Sequence, residues 1–221
     1  MRVLAIGAHP DDIELGCGAT LLAHAGRGHA VSLLVMTTGE QGPQAARSRT
    51  HEQEDAARLL GADLYWGNFE DGAVPEGRAA VNAIEAVLRE TQADLVYTHH
   101  PRDTHQDHRA TAVATLSATR RLSTVLQYEA PTSIGFVPSV YIDVEGFLDA
   151  KLAVLRAHAS QVDRNGLVDL EAVAAQARYR GFTARVRHAE GFMCERLLFN
   201  LGTPTSSPEE ELALLRQSDL G

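Results

Sequence analysis

A histidine and two carboxylates follow the first apolar segment of the chain. The apolar run of residues 3–6 ends at a Gly-Ala pair, and His9, Pro10, Asp11 and Asp12 come next. A short apolar run bounded by Gly and Pro predicts a strand, and residues 13–25 have the length of a helix, so these side chains lie in a strand-to-helix turn. Ligands bind at such turns in open α/β sheets. His9 and Asp12 can bind one cation from a single turn, which leaves Asp11 beside it.

Two other interpretations of this turn have different consequences. Asp11 or Asp12 could serve only as the N-cap of the next helix, because Asp often precedes an apolar helical segment. The turn could also be a dinucleotide-binding loop, but Gly16 and Gly18 come well after the position where such a loop needs its glycines. Two carboxylates would in addition repel a phosphate group. The charges of the turn therefore favour a divalent cation.

A second polar cluster follows the predicted strand of residues 94–98. Its members are His99, His100, Arg102, Asp103, His105, Gln106, Asp107 and His108. In a doubly wound sheet of strand order 3-2-1-4, the first and fourth strands are neighbours, and their carboxyl ends border the crevice where ligands bind. This order places the second cluster against His9 and Asp12. We interpret His99 and His100 as strand-end residues that line the crevice.

Strands and helices alternate along the chain, which is typical of an α/β fold with a mostly parallel sheet and helices on both faces. Further helices are expected over residues 49–60, 78–91, 147–160 and 169–179, and a last strand over 193–200. Residues 203–211 predict an exposed connection before a short terminal helix. A length of 221 residues with 44% hydrophobic content predicts a single domain over residues 1–221.

The composition argues against several classes of function. A net charge of −9, from 29 acidic and 20 basic residues, disfavours nucleic acid as a partner because phosphate backbones attract basic surfaces. Cys17 and Cys194 are far apart and show no CxxC spacing, so neither a disulfide framework nor a thiolate zinc site is expected. We expect no secretion leader, and no apolar run reaches membrane-spanning length. We therefore expect a soluble cytoplasmic protein with no membrane partner.

The two clusters together could perform metal-assisted hydrolysis. Catalytic zinc sites usually have three His or carboxylate ligands and an open position, and His9, Asp12 and His108 supply that set. Zinc lowers the pKa of a water molecule to about 7, but a base must still collect the proton, and Asp11 is placed for it. We assign His105 to the developing oxyanion. Asp107 can hold one of the imidazoles through its other nitrogen, which favours the protonated ring.

These residues resemble the PIG-L/LmbE-like zinc N-deacetylases. The signature motifs are Ala8-His9-Pro10-Asp11-Asp12, Glu14-Leu15-Gly16-Cys17-Gly18 and His105-Gln106-Asp107-His108. Further similar segments are Thr38-Gly39-Glu40, Arg49, Lys151, His158 and Ala189-Glu190-Gly191-Phe192. The resemblance implies a three-layer Rossmann-like fold, a homo-oligomer, and removal of an N-acetyl group from an N-acetylglucosamine-containing small molecule. The likeness to bacillithiol- and mycothiol-pathway deacetylases leaves the group attached to the sugar open.

The resemblance also assigns roles to individual residues. His9, Asp12 and His108 match the metal ligands, and Asp11 matches the general base. His105 and Asp107 match the pair that stabilises the oxyanion. Arg49 matches an arginine that contacts substrate, and Glu40, Arg102 and Asp103 are further candidate substrate contacts. The chain departs from the family at His188, where many relatives have Tyr, and at Gln106, where Pro is frequent.

Two alternative functions use a similar set of residues. Non-haem Fe(II) oxygenases bind iron through two histidines and one carboxylate, which makes Fe²⁺ a second candidate metal. Their sites usually lie on β-barrels, whereas this chain alternates strands and helices. A metal-binding protein without catalytic activity would have no need of Asp11 and His105. The sequence therefore favours a hydrolase.

Overall fold

A computed structural model describes residues 1–41, 46–162 and 168–199. Strands and helices alternate over its first half. The elements are β1 (Arg2–Gly7), α1 (Asp12–Ala25), β2 (Ala30–Thr37), α2 (Ala46–Leu60), β3 (Asp63–Phe69), α3 (Arg78–Thr91), β4 (Leu95–His99), α4 (Gln106–Ala118), β5 (Val125–Tyr128), β6 (Val140–Asp143), α5 (Leu148–Leu155), α6 (Ala159–Val162), α7 (Leu170–Ala184) and β7 (Ala189–Arg196).

The strands of the described residues form one sheet in the order β3-β2-β1-β4-β5-β7-β6. The pairs from β3 through β5 are all parallel, while β7 runs antiparallel to both β5 and β6. Val3 on β1 lies opposite Leu95 on β4, so the two polar clusters leave the sheet side by side. The predicted order 3-2-1-4 is confirmed, as is the mostly parallel α/β sheet.

Helices cover both faces of the sheet and bury residues 3–7 of β1. Val3 and Ala5 face a core shared with α1, α2 and α5, whereas Leu4 and Ile6 face a second core shared with α3 and α4. A strand with two buried faces needs apolar residues throughout, because neither face meets water. This explains the continuous hydrophobic run that marks β1 in the sequence. No helix in the described part of the chain is long and apolar enough to span a bilayer.

Several element boundaries differ from the sequence expectations. The helix expected over 147–160 is two helices, α5 and α6, and the chain turns between them at residues 156–158. That turn buries His158 against Glu14. The last strand begins at Ala189 rather than at residue 193, because its first residues pair with β6. Helix α2 starts at Ala46, and α7 continues to Ala184. The connection predicted over 203–211 lies outside the described residues.

Helix α1 contains a break at Cys17, whose φ of −146° and ψ of 20° are not helical. The backbone N–H groups of Ala19 and Thr20 beyond the break donate to the buried carboxylate of Glu190, at 3.2 Å and 2.7 Å. The ammonium of Lys151 donates to the carbonyl of Leu15 at 2.7 Å and pairs with Glu190. A buried ion pair therefore replaces the helical hydrogen bonds that the break removes.

Candidate active site

The turn after β1 has an unusual backbone. Asp11 occupies the N-cap position of α1 with φ of 95° and ψ of −26°, a left-handed conformation that costs a residue with a side chain about 1–3 kcal/mol. The carboxylate of Asp11 makes no capping hydrogen bond. The interpretation of Asp11 as a simple helix cap is therefore wrong. Asp12, one residue later, accepts the backbone N–H of His9 at 2.7 Å, which closes the turn.

The carboxylate of Asp12 lies at the centre of three imidazole rings. Its Oδ2 is 3.3 Å from His9 Nδ1 and 3.2 Å from His99 Nε2, and its Oδ1 is 3.3 Å from His108 Nε2. Burial raises the pKa of Asp12, but the neighbouring His108 and His99 lower it by more. The pKa of Asp12 therefore lies well below its ordinary value. The group is therefore an ionised carboxylate with both oxygens facing nitrogen ligands.

The outer nitrogens of two of these rings are held by further carboxylates. His9 Nε2 lies 3.1 Å from both Asp71 Oδ1 and Asp107 Oδ2, and His108 Nδ1 lies 3.3 Å from Asp103 Oδ1. Carboxylates in this position fix the tautomer and orientation of an imidazole and make its inner nitrogen a stronger ligand. Together with Asp12, they also outweigh the effect of burial, which lowers the pKa of a histidine. The pKa of His108 is thereby raised to about 9, and that of His9 well above 6.5.

His105 lies at the N-cap of α4, next to the same cluster. Its ring centroid is 4.6 Å from that of His9 and 4.7 Å from that of His108. Its Nδ1 accepts the backbone N–H of Asp107 at 3.2 Å, which leaves the ring proton on Nε2. Burial and the neighbouring His9 and His108 lower the pKa of His105. The Asp107 carboxylate, which is expected to hold one of the imidazoles and to favour its protonated form, contacts His9, whose pKa is raised.

Asp11 differs from Asp12 in having a carboxylate with few partners. Among the described residues, it pairs with Arg49, whose Nη2 is 3.8 Å from Asp11 Oδ2. Burial and the neighbouring Asp12 raise the pKa of Asp11 to about 7, although His158 and Arg49 act in the opposite direction. A carboxyl group with a pKa near neutrality can both accept and return a proton.

The charges of this region fit a divalent cation. Five carboxylates, each less than 9% exposed, surround the three rings, and Arg49 is the guanidinium that contacts them in the described residues. They belong to Asp11, Asp12, Asp71, Asp103 and Asp107. Buried charges need a partner of opposite sign. Three groups of residues each bring their ligand atoms within 4.8 Å of one another. These groups are His9, His105 and His108; Asp12, His99 and His108; and His9, Asp71 and Asp107. The donor set is the mixture of imidazole and carboxylate that zinc accepts.

Residues 4–119 match the model of the family described as PIG-L, GlcNAc-PI de-N-acetylase. This match covers just over half of the chain. The chain belongs to the PIG-L de-N-acetylase family.

Full-length relatives extend the likeness beyond the matched segment. The protein named uncharacterized deacetylase YaiS of Escherichia coli K12 is 38% identical over 167 residues, covering 72% of this chain and 90% of that protein. The conserved protein TT1542 of Thermus thermophilus gives a TM-score of 0.81 at 29% identity, covering 94% of this chain and 100% of that chain. The N,N′-diacetylchitobiose deacetylase of Pyrococcus horikoshii, solved with its inhibitor MPG, gives 0.79 at 27% identity, covering 92% and 87%. The Fe(II) oxygenase alternative has no support in these likenesses.

In this PIG-L chain, the His and Asp cluster forms one side of an open cavity of about 440 Å³. The other lining residues include Leu15, Gln41, Arg49, Asp71, Gln106, Pro131, Thr132, Gln161 and Val168. Of the four expected substrate contacts, Arg49 lines this cavity and Glu40, Arg102 and Asp103 do not. Glu40 accepts the N–H of Asp71 at 2.8 Å, and Asp103 is buried behind His108. A direct contact of these three residues with substrate therefore has no support in the structure.

The structure adds residues that the sequence does not single out as functional. The sequence predicts only that His99 lines the crevice, but its ring stacks on His108 with centroids 4.1 Å apart and faces Asp12. Burial and His108 lower the pKa of His99 to about 4. Asp71 is not among the candidate site residues of the sequence analysis, yet it holds His9. The position of His99 at the end of β4, beside the His9 turn, is a feature of the sequence that could have identified it as a site residue. Asp71 has no such feature.

Proposed function

We propose that this protein is a metal-dependent hydrolase that removes the N-acetyl group from an N-acetylglucosamine-containing small molecule, releasing acetate and a free amine. One observation carries the proposal. The buried carboxylate of Asp11 lies beside the His and Asp cluster on the wall of the cavity, with Arg49 Nη2 3.8 Å away. The names of the relatives agree with it, since one is a deacetylase and another a diacetylchitobiose deacetylase.

We further propose that His9, Asp12 and His108 hold one Zn²⁺, with Fe²⁺ as the second candidate. These three residues place two imidazole nitrogens around one ionised carboxylate, and carboxylates behind both rings support them. When bound, such a cation supplies Lewis acidity and lowers the pKa of water.

The remaining chemistry belongs to the protein's own side chains. Asp11 accepts a proton from the attacking water and later delivers it to the leaving amine, a role that suits a pKa of about 7. The Nε2–H of His105 donates to the oxyanion that develops at the amide carbonyl, since Nδ1 is already engaged by the Asp107 N–H. Arg49 lines the cavity and offers a cation to the polar sugar.

The proposed substrate is a small molecule because the catalytic side chains line a cavity of about 440 Å³. An amino-sugar conjugate fits a wall that mixes amide, hydroxyl and apolar side chains such as Gln161, Thr132 and Leu15. A cytoplasmic location, a homo-oligomeric state and the absence of nucleic-acid or membrane partners stay predictions, as does the single domain over residues 1–221.

Acetate release from a panel of N-acetylglucosamine derivatives tests this function. The zinc-loaded protein should hydrolyse at least one of them, and a chelator should abolish the activity. Asp11→Asn should lower kcat by about 10²- to 10⁴-fold, which is the usual contribution of a general base, while the bound metal stays at the wild-type level. Asp55→Asn is the matched control, because Asp55 is exposed on α2 and pairs only with Arg58 among the described residues. Equal rates for Asp11→Asn and wild type would refute the role of Asp11, and an inactive wild type would refute the function.

A further inference from the structure

Two side chains of α2 hold a single peptide unit in the active-site turn. The carbonyl oxygen of Pro10 accepts from Arg49 Nη2 at 2.8 Å, and the N–H of Asp11 donates to Gln53 Oε1 at 3.2 Å. This carbonyl and this N–H belong to the same peptide group. Arg49 and Gln53 are four residues apart on α2, so they project from the same face of the helix. Helix α2 therefore holds the Pro10–Asp11 peptide at both of its polar ends.

The orientation of the Gln53 amide is set by a second contact. Its Nε2 donates to Glu14 Oε1 at 2.7 Å. A carboxylate only accepts hydrogen bonds, so the NH₂ group must face Glu14 and the amide oxygen must face Asp11. The other oxygen of Glu14 lies 3.6 Å from His158 Nε2. Gln53, Glu14 and His158 are all fully buried, so water does not compete for these contacts.

The backbone of Asp11 depends on such support. Its φ of 95° is rare for a residue with a side chain, and such conformations persist only where the surrounding structure imposes them. We propose that Gln53 is a positioning residue that holds the carboxylate of Asp11 in its working orientation by fixing the Pro10–Asp11 peptide, with Glu14 setting the direction of its amide. This inference rests on the proposed role of Asp11 as general base. Gln53 does not line the cavity, so its effect reaches the reaction through the backbone.

Kinetics separate positioning from substrate binding. Gln53→Met keeps the length of the side chain and removes both hydrogen bonds. It should lower kcat by about 10- to 100-fold, the range for a misplaced catalytic group, with KM and metal content unchanged. Ile84→Val is the stability control, because Ile84 on α3 is buried in the second core, whereas α2 belongs to the first. A Gln53→Met protein with the wild-type kcat would overturn the proposal.

A charge swap tests the direction of the amide. Gln53→Glu places a second carboxylate against Glu14, and it should lose at least as much kcat as Gln53→Met. The double variant Gln53→Glu with Glu14→Gln restores a donor opposite an acceptor, since the carboxylate introduced at position 53 can accept from both the Asp11 N–H and the amide introduced at position 14. This double variant should recover most of the lost kcat. A double variant no better than Gln53→Glu would overturn the proposed role of Glu14.

Hydrogen exchange gives a readout that does not need activity. The Asp11 amide should exchange slowly in the wild type, faster in Gln53→Met, and slowly again in the double variant, all measured without metal. Unchanged exchange in Gln53→Met overturns the positioning role even if kcat falls. If the wild type hydrolyses none of the panel, the proposed function fails, and the exchange data still decide whether Gln53 fixes the Asp11 peptide.

Discussion

Lys151→Met should destabilise the protein strongly, although Lys151 lies outside the active-site cavity. Lys151 is 2% exposed and Glu190 is 5% exposed, and their ion pair lies at the break in α1. Methionine fills the space of the lysine stem but leaves the Glu190 carboxylate buried without a counter-charge. Breaking a buried pair in this way costs about 3–5 kcal/mol. The carbonyl of Leu15 also loses its Lys151 donor, and an unsatisfied buried acceptor costs about 1–3 kcal/mol.

Two features reduce the sum of these costs. The N–H groups of Ala19 and Thr20 still donate to Glu190, and the carboxylate can take up a proton. We therefore expect a loss of about 4 kcal/mol. At about 2–4 °C per kcal/mol for a chain of this size, Tm should fall by roughly 8–16 °C.

Urea unfolding followed by Trp66 fluorescence measures the effect, in buffer with chelator so that metal binding does not add to stability. The double variant Lys151→Met with Glu190→Gln carries no unpaired charge and should recover at least half of the loss. Arg58→Met is the control, because its pair with Asp55 is exposed and should contribute less than about 1 kcal/mol. A loss below about 1 kcal/mol for Lys151→Met, or a double variant as unstable as the sum of the singles, would refute this reasoning.

Two further predictions concern the metal ligands and a histidine pair. Asp103→Asn removes the carboxylate behind His108 and should weaken metal affinity by about 10- to 100-fold. A competition titration with a chelator measures this affinity. An affinity equal to that of the Asp55→Asn protein would contradict the prediction. Burial, with His29 and Arg27 nearby, lowers the pKa of His24 from 6.5 to about 4, so between these values the unfolded chain binds a proton that the folded chain does not. Stability should therefore fall as the pH drops through this interval. His24→Gln should flatten that part of a plot of urea midpoint against pH, and an unchanged slope would argue against His24 as the source.

The parts of the site that the sequence predicted are those fixed by local chain geometry or by strand order. His9, Asp11 and Asp12 follow β1 directly, so their proximity needs only one turn. His108 joins them because β1 and β4 are neighbours, a consequence of the alternation of strands and helices. Both inferences depend on continuous apolar runs, which mark buried strands such as β1 and β4 in the sequence.

The supporting carboxylates were harder to predict because loop conformation decides where they lie. Asp107 Oδ2 accepts the N–H of Gly72 at 2.7 Å and its Oδ1 that of Val74 at 3.1 Å. These bonds bring the loop after β3, with Asp71, against His9. The family resemblance implied a pair of His105 and Asp107, and in the structure His105 is an extended N-cap residue with φ of −80° and ψ of 126° whose Nδ1 accepts the Asp107 N–H. The Asp107 carboxylate lies against His9, with Oδ2 3.1 Å from His9 Nε2.

The division of roles between Asp11 and Asp12 follows from the same backbone feature that makes the turn unusual. Both oxygens of Asp12 face imidazole nitrogens, and the pKa of this carboxyl is lowered. The carboxylate of the left-handed Asp11 lies 3.8 Å from Arg49 Nη2, and burial and the neighbouring Asp12 raise its pKa to about 7. Neighbouring carboxyl groups whose environments move their pKa values apart are suited to different tasks, one to bind a cation and one to transfer a proton. If Asp11 had helical backbone angles, the two carboxyl groups would lose their different environments. The hydrogen bond from the Asp11 N–H to Gln53 therefore has a larger effect on the site than one hydrogen bond would usually have.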